Sequence, residues 1–306
     1  MQIIAHGGAG SPPDEPADRQ AVLDEAVECG REAATPMAAV CNALRVLEVD
    51  PKFNAGIGGA VQSDGVVRTD AGLMTADGTT GAAAAMPGVC HATDVARAVA
   101  TETPHVLLAG ERAVAFAESV AVETGLDLWS EATRERWEAL DPPDDYRDHL
   151  AWVREQFGGG VAGDAVDSDS ATDDASDGQT PKHDHDTVGA VARDGDEIAA
   201  ATSTAGRWLA LAGRVGDVPQ VGAGFFASPA GGASATGAGE DIAREGLAGR
   251  AVSLLEQGAD AETAARITMD EFDDAADGSA GIIVLDSDGT AGEAYNSPAM
   301  QTARRL

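Results

Sequence analysis

Between Gly158 and Asp186 the chain carries almost nothing apolar. Eight Asp in that stretch face one Lys, Lys182, so it holds about −7 of charge. A segment of this composition has too little apolar surface to order itself, and it reads as a flexible, solvated acidic linker. Loops this long are uncommon inside a compact domain and usually have a function or join two parts. A linker placed mid-chain needs a reason, and the flanking sequence has to supply it.

The flanks are patterned. Residues 2–5 form a β-like run ending in His6-Gly7-Gly8-Ala9-Gly10. Helical periodicity covers 15–34 and 36–49, with Thr35-Pro36 as an N-cap followed by a Pro at the first helical position. Residues 58–87 read as several short strands with tight turns. Helices are expected at 92–100, 105–122 and 131–157. After the linker, 187–192 and 197–203 read as two strands joined by the turn at Asp194-Gly195-Asp196. Helices at 240–257 and 260–274 and closing strands at 281–285 and 290–295 complete the pattern. Strands come in consecutive runs and helices in separate runs, which predicts an α+β layered fold.

Charge narrows the function. The chain has 306 residues, 20 Lys plus Arg, 52 Asp plus Glu, and a net charge of −32. No cationic face is available to displace counterions from nucleic acid, and anionic lipid is equally disfavoured. Only Lys52 and Lys182 are lysines. An Asp-rich, Lys-poor surface predicts a protein suited to a salt-rich interior. Cys29, Cys41 and Cys90 lack C-x-x-C spacing, so they predict small buried side chains rather than a zinc site or a disulfide framework. No apolar run reaches the ~20 residues of a membrane span, and no basic, apolar leader is visible. A cytoplasmic setting is expected.

The linker ends at Thr187, where a buried-type strand begins. Cutting the bond before Thr187 would free an α-amino group, whose pKa near ~8 lets it act as a base. The Oγ of the same residue would then be the nucleophile. This solution needs no histidine, and the six histidines form no triad pattern.

Several segments converge on one family. They are His6-Gly7-Gly8-Ala9-Gly10, Phe53-Asn54-Ala55-Gly56-Ile57-Gly58, Thr187-Val188-Gly189-Ala190-Val191, Ala201-Thr202-Ser203-Thr204, Gly213-Arg214-Val215-Gly216-Asp217, Val221-Gly222-Ala223-Gly224 and Thr236-Gly237-Ala238-Gly239-Glu240. In this order the chain resembles the plant-type L-asparaginase / isoaspartyl peptidase family of N-terminal-nucleophile hydrolases, relatives of glycosylasparaginase. The resemblance covers nearly all of the chain except the linker.

It implies a four-layer αββα sandwich in one domain spanning 1–306. It implies self-cleavage into an α-subunit 1–186, with 158–186 as its slack end, and a β-subunit 187–306. It also implies pairing of two such αβ units. Carried over residue by residue, Thr187 is nucleophile and base, Thr204 orients it, and Thr236 with the Gly237 N–H forms the oxyanion hole. Arg214 takes the substrate α-carboxylate, which suits a planar guanidinium. Asp217 takes the α-ammonium, Gly239 lets the backbone approach, and Asn54 lies near the substrate. No cofactor is implied. A structural Na⁺ on the carbonyls of Leu47, Glu48, Phe53, Ala55 and Ile57 is.

The expected substrates are small: L-asparagine and β-aspartyl dipeptides. Two departures bear on that choice. Asp186 stands where the asparaginase branch usually has Gly, so His185-Asp186-Thr187 resembles glycosylasparaginase. Arg207-Trp208-Leu209-Ala210-Leu211 replaces a more polar stretch before Arg214. Glycosylasparaginase activity and an uncut amino-acid-binding protein are the alternatives. A phosphate cradle at Gly222-Ala223-Gly224 or Gly237-Ala238-Gly239 lacks the P-loop Lys.

Overall fold

The computed structural model describes residues 1–157 and 187–306. The acidic linker and Asp186 lie outside the described residues. The first part runs β1 (Gln2–Gly10), α1 (Pro16–Arg31), α2 (Pro36–Val49), β2 (Arg68–Thr75), β3 (Thr80–Pro87) and α3 (Ala92–Glu102). It continues with β4 (Leu107–Ala109), α4 (Gly110–Ser119), α5 (Glu131–Glu138) and α6 (Tyr146–Phe157). The second part runs β5 (Val188–Asp194), β6 (Glu197–Thr204), β7 (Phe225–Ser228), β8 (Gly231–Gly237) and α7 (Gly239–Glu245). It ends with α8 (Leu247–Glu256), α9 (Ala261–Ala275), β9 (Ala280–Asp286), β10 (Ala291–Tyr295) and β11 (Ala299–Arg305).

Two sheets form, ordered β11-β1-β5-β6-β2-β3-β4 and β10-β9-β8-β7. The strand period of two sorts side chains between layers. In β5, Val188, Ala190 and Ala192 face α1 to α3 together with Leu44 and Leu47. Val191 faces the other way, meeting Ile198, Phe225 and Ile283 between the sheets. On the far side α8 and α9 cover the smaller sheet through Leu247, Val252, Met269 and Phe272. Helices, sheet, sheet and helices thus make the expected αββα sandwich. Burying each large apolar side chain in these three cores contributes roughly 1.5–3 kcal/mol. Among the described residues no helix is long and apolar enough to cross a membrane.

Local chemistry explains most boundaries. The Thr35 side chain accepts the Ala38 N–H and Pro36 opens α2, a cap worth about 1 kcal/mol. Cys41 and Cys90 are buried, and all three cysteines are free thiols. The predicted helix over 131–157 is instead two helices, because Pro142-Pro143 lies between α5 and α6. The predicted helix over 105–122 begins as a strand. Residues Leu107–Ala109 pair in parallel with β3, and Gly110 at φ +63° then turns the chain into α4.

Candidate active site

The β5–β6 hairpin positions Thr187, the expected nucleophile. Its register pairs Val188 with Ser203, so Thr187 falls beside Thr204 on the inter-sheet side. Thr187 Oγ1 donates to Thr204 Oγ1 at 3.4 Å. Thr204 Oγ1 also accepts the Gly206 N–H at 3.0 Å and donates to the Asn54 carbonyl at 3.3 Å. That fixes Thr204 as an acceptor facing Thr187. Both are buried.

Beneath them runs a second polar chain that sequence reasoning missed. Thr202 Oγ1 donates to the Gly224 carbonyl at 2.8 Å and contacts Ser234 Oγ at 2.8 Å. Ser234 Oγ lies 2.9 Å from His6 Nε2. With the Thr202 proton committed, Ser234 donates to Thr202 and accepts from His6, so the ring carries its proton on Nε2. Burial drives the His6 pKa down to about 3, against the pull of the Thr187 backbone, so this imidazole is neutral. Thr236, on β8, accepts the Ala9 N–H at 3.3 Å.

The head-group side comes from the loop between β6 and β7. Arg214 Nε donates to Glu240 Oε1 at 2.8 Å, at the first turn of α7. Burial works to lower the Arg214 pKa, but the Glu240 bond and the charges of Asp217 and Asp70 raise it overall. Asp217 is buried, and its Oδ2 has no hydrogen-bond partner among the described residues. Burial lifts its pKa to about 7, against the Arg214 charge. Asp70 is lifted to about 7 for the same reason. The Ala85 N–H, aimed by a bulge in β3 where Ala85 has φ +53°, donates to Asp70 at 2.6 Å.

Two glycines make this geometry fit. A Cβ on Gly239 would lie 2.7 Å from Asp217 Oδ1 and 2.8 Å from an Arg214 terminal nitrogen. Gly237 has φ +135°, and a Cβ there would lie 2.2 Å from the Ser279 carbonyl oxygen.

Thr187, Thr204, Arg214, Asp217, Gly237 and Gly239 line one small cavity, together with Gly206 and Arg207. Its volume is about 10 Å³, room for about one water. Thr236 sits behind it, against β1. Asn54 lines a neighbouring, larger cavity. Its amide spans the Gly206 carbonyl at 2.6 Å and the Ala60 N–H at 2.7 Å, which pins the loop after Thr204. Glu240, Asp70 and His6 are the site's unpredicted members. Glu240 and His6 stand inside the quoted motifs, and Asp70 is the one carboxylate in β2, which was the available signal.

The expected sodium loop offers backbone carbonyls between Leu47 and Ile57. The Glu48 carbonyl already accepts the Ile57 N–H at 2.9 Å and the Cys90 thiol at 3.2 Å. The Glu48 carboxylate is likewise taken by Thr93 and Ser203, and it ties α2 to the back of β6. Among the described residues no cluster of three or more His, Cys, Asp or Glu side chains is placed to hold a metal ion.

The pattern of the asparaginase family matches residues 1–305. The chain belongs to the asparaginase family. It is 38% identical to the plant-type L-asparaginase of Pyrococcus furiosus, covering 99% of this chain and 95% of that one. It is 36% identical to the isoaspartyl peptidase of Salmonella typhimurium, covering 98% and 94%. The isoaspartyl peptidase/L-asparaginase of Danio rerio is 31% identical, covering 98% and 91%. Membership of the asparaginase family accounts for the αββα layering and for the order of the motifs. It spans both parts of the chain, before and after the acidic stretch.

Proposed function

We propose that this chain is a self-processing amidohydrolase that acts on L-asparagine and β-aspartyl dipeptides with Thr187 as nucleophile. The reading is carried by one observation. The Thr187 hydroxyl, held by Thr204, shares a cavity with Arg214 and with the unpartnered Oδ2 of buried Asp217. A nucleophile beside opposite charges three residues apart fits a small zwitterion with an amide in its side chain. The names of the relatives support the same substrates.

Processing comes first. Thr187 Oγ attacks the Asp186 carbonyl and the peptide nitrogen departs, giving an ester. Water then hydrolyses that ester, leaving Asp186 as a carboxylate and Thr187 with a free amine. In turnover that amine takes the Oγ proton and Oγ attacks the side-chain amide carbonyl. The Thr236 hydroxyl and the Gly237 N–H stabilise the oxyanion, and losing one such donor typically costs ~2.7–4 kcal/mol. Collapse expels ammonia or an amino acid, which takes the proton from the amine. Water, activated by the same amine, hydrolyses the β-aspartyl ester. Arg214 and Asp217 hold the head group throughout. No step uses a cofactor or a sodium ion. The processed units are proposed to work as a pair of αβ units in a cytoplasmic, salt-rich setting.

An intact mass spectrum of the purified protein in molar salt tests this reading. Fragments split between Asp186 and Thr187 and ammonia release from asparagine are expected. An uncut chain with full activity, or full activity in Thr187→Ala, overturns it.

A further inference from the structure

Beside the Thr187 cavity lies a much larger one, of about 470 Å³. That is within the ~300–1,000 Å³ typical of small-molecule sites. The two share a wall. Asn54 lines the larger cavity and binds the Gly206 carbonyl, while Gly206 lines the smaller one. The chain from Thr204 to Trp208 passes from one cavity to the other.

The charge of the larger cavity runs against that of the protein. Acids outnumber cations 52 to 20 along the sequence. Among the described residues, Arg19, Lys52 and Arg136 line one space together with Asp14 and Glu15. Two of the three cations are held in place. The Arg136 guanidinium lies 3.7 Å from the Trp208 ring centroid, and that of Arg19 lies 4.7 Å from the Phe53 ring centroid. Arg19 also donates to the Gly7 carbonyl. Lys52 Nζ forms an ion pair with Asp50 at 3.8 Å, too long for a hydrogen bond. Its ammonium therefore keeps donors for a ligand.

We infer that this cavity receives the departing amino acid of a β-aspartyl dipeptide, with its free α-carboxylate between Lys52 and Arg136. The inference rests on the proposed function and deepens it, since it assigns the side of the scissile amide opposite the Arg214–Asp217 head-group pocket. L-Asparagine releases only ammonia and leaves the cavity unused. A neutral sugar would gain little from the cations.

The test compares L-asparagine, β-aspartyl-leucine and β-aspartyl-leucinamide on the processed enzyme. The free acid is expected to have about tenfold higher kcat/KM than the amide. Lys52→Met and Arg136→Gln are each expected to erase that preference through KM, with asparagine turnover within twofold of wild type. Equal rates on acid and amide in the wild type, or a proportionate loss on all three substrates, overturns the inference. Saturation-transfer NMR with free L-leucine reads the cavity without turnover. Contact in the wild type that is lost in both variants is expected, and no contact in the wild type counts against it. Absence of asparagine hydrolysis alongside leucine contact would sink the proposed function and leave the cavity's preference standing.

Discussion

The two sides of the candidate site are built from opposite materials. The nucleophile side is uncharged: Thr187, Thr204, Thr202 and Ser234 sit on central strands and satisfy one another through hydroxyls. The head-group side is ionic: Arg214, Asp217 and Glu240 come from a loop and a helix start, with Asp70 behind them. Hydroxyls are cheap to bury when paired, and strand register alone sets their spacing. Buried charges need each other and a close backbone, so this side depends on Gly239 and on one long loop. The difference teaches where each kind of damage should appear. Faults on the strand side should reduce the chemical step, and faults on the loop side should weaken binding.

The largest effect should come from Thr187→Ala. It is expected to block fragment formation and to lower asparagine turnover by about 10⁴-fold or more, read by mass and ammonia release. Activity within tenfold of wild type would erase the distinction between the sides. Next is Gly239→Ala, whose Cβ meets Asp217 and Arg214. It should raise KM about 100-fold, the size of a lost charge-assisted contact. Fragments should still form on schedule. Slowed processing in this variant would show that the sides are not independent.

A smaller effect follows pH. Burial lifts Asp217 to about 7 from an ordinary 3.8. The ammonium of the substrate needs the carboxylate, so KM should climb up to about tenfold per pH unit below 7. Stability moves the other way. The folded state holds the proton more tightly between about pH 4 and 7, so ionisation destabilises the fold as pH rises through that window. Asp217→Asn should therefore melt higher than wild type at pH 8, and the gap should close towards pH 4. A gap that widens in acid would be the wrong sign. The smallest effect is expected from Thr204→Ser, which keeps the hydroxyl. Its kcat should stay within about threefold, while Thr204→Val should drop it at least tenfold with KM little changed.

Much of the strand side was legible because a hairpin carries its own ruler. The turn at Asp194-Gly195-Asp196 fixes the register, and the register puts Thr187 against Thr204. Arg214 and Asp217 stand out as opposite charges three apart in a glycine-flanked loop, and the structure brings both to the Thr187 cavity. Glu240 was not, because an acid in the first turn of a helix reads as an ordinary dipole partner. His6 was hidden because its side-chain partner Ser234 lies 228 positions away and links it to Thr202, and no local motif joins them. Among the elements, β8 escaped because Gly, Ser and Ala carry weak strand preference, and the four residues of β7 are too few to show a period. The α5–α6 break was written in Pro142-Pro143 but masked by helical periodicity on both sides.

The strand order of the large sheet has one further consequence. Read from its edge, β11 comes from the part after Thr187, β1 from the part before, β5 and β6 from after, and β2, β3 and β4 from before. A cut there would yield two polypeptides interlaced like the fingers of folded hands. Neither would own the large sheet whole, and β5 would stay zipped between β1 and β6 by backbone bonds on both edges. The products of such a cut should travel together through every native separation. Each made alone should fail to fold. The scissile bond could then be broken once, permanently, without the molecule coming apart.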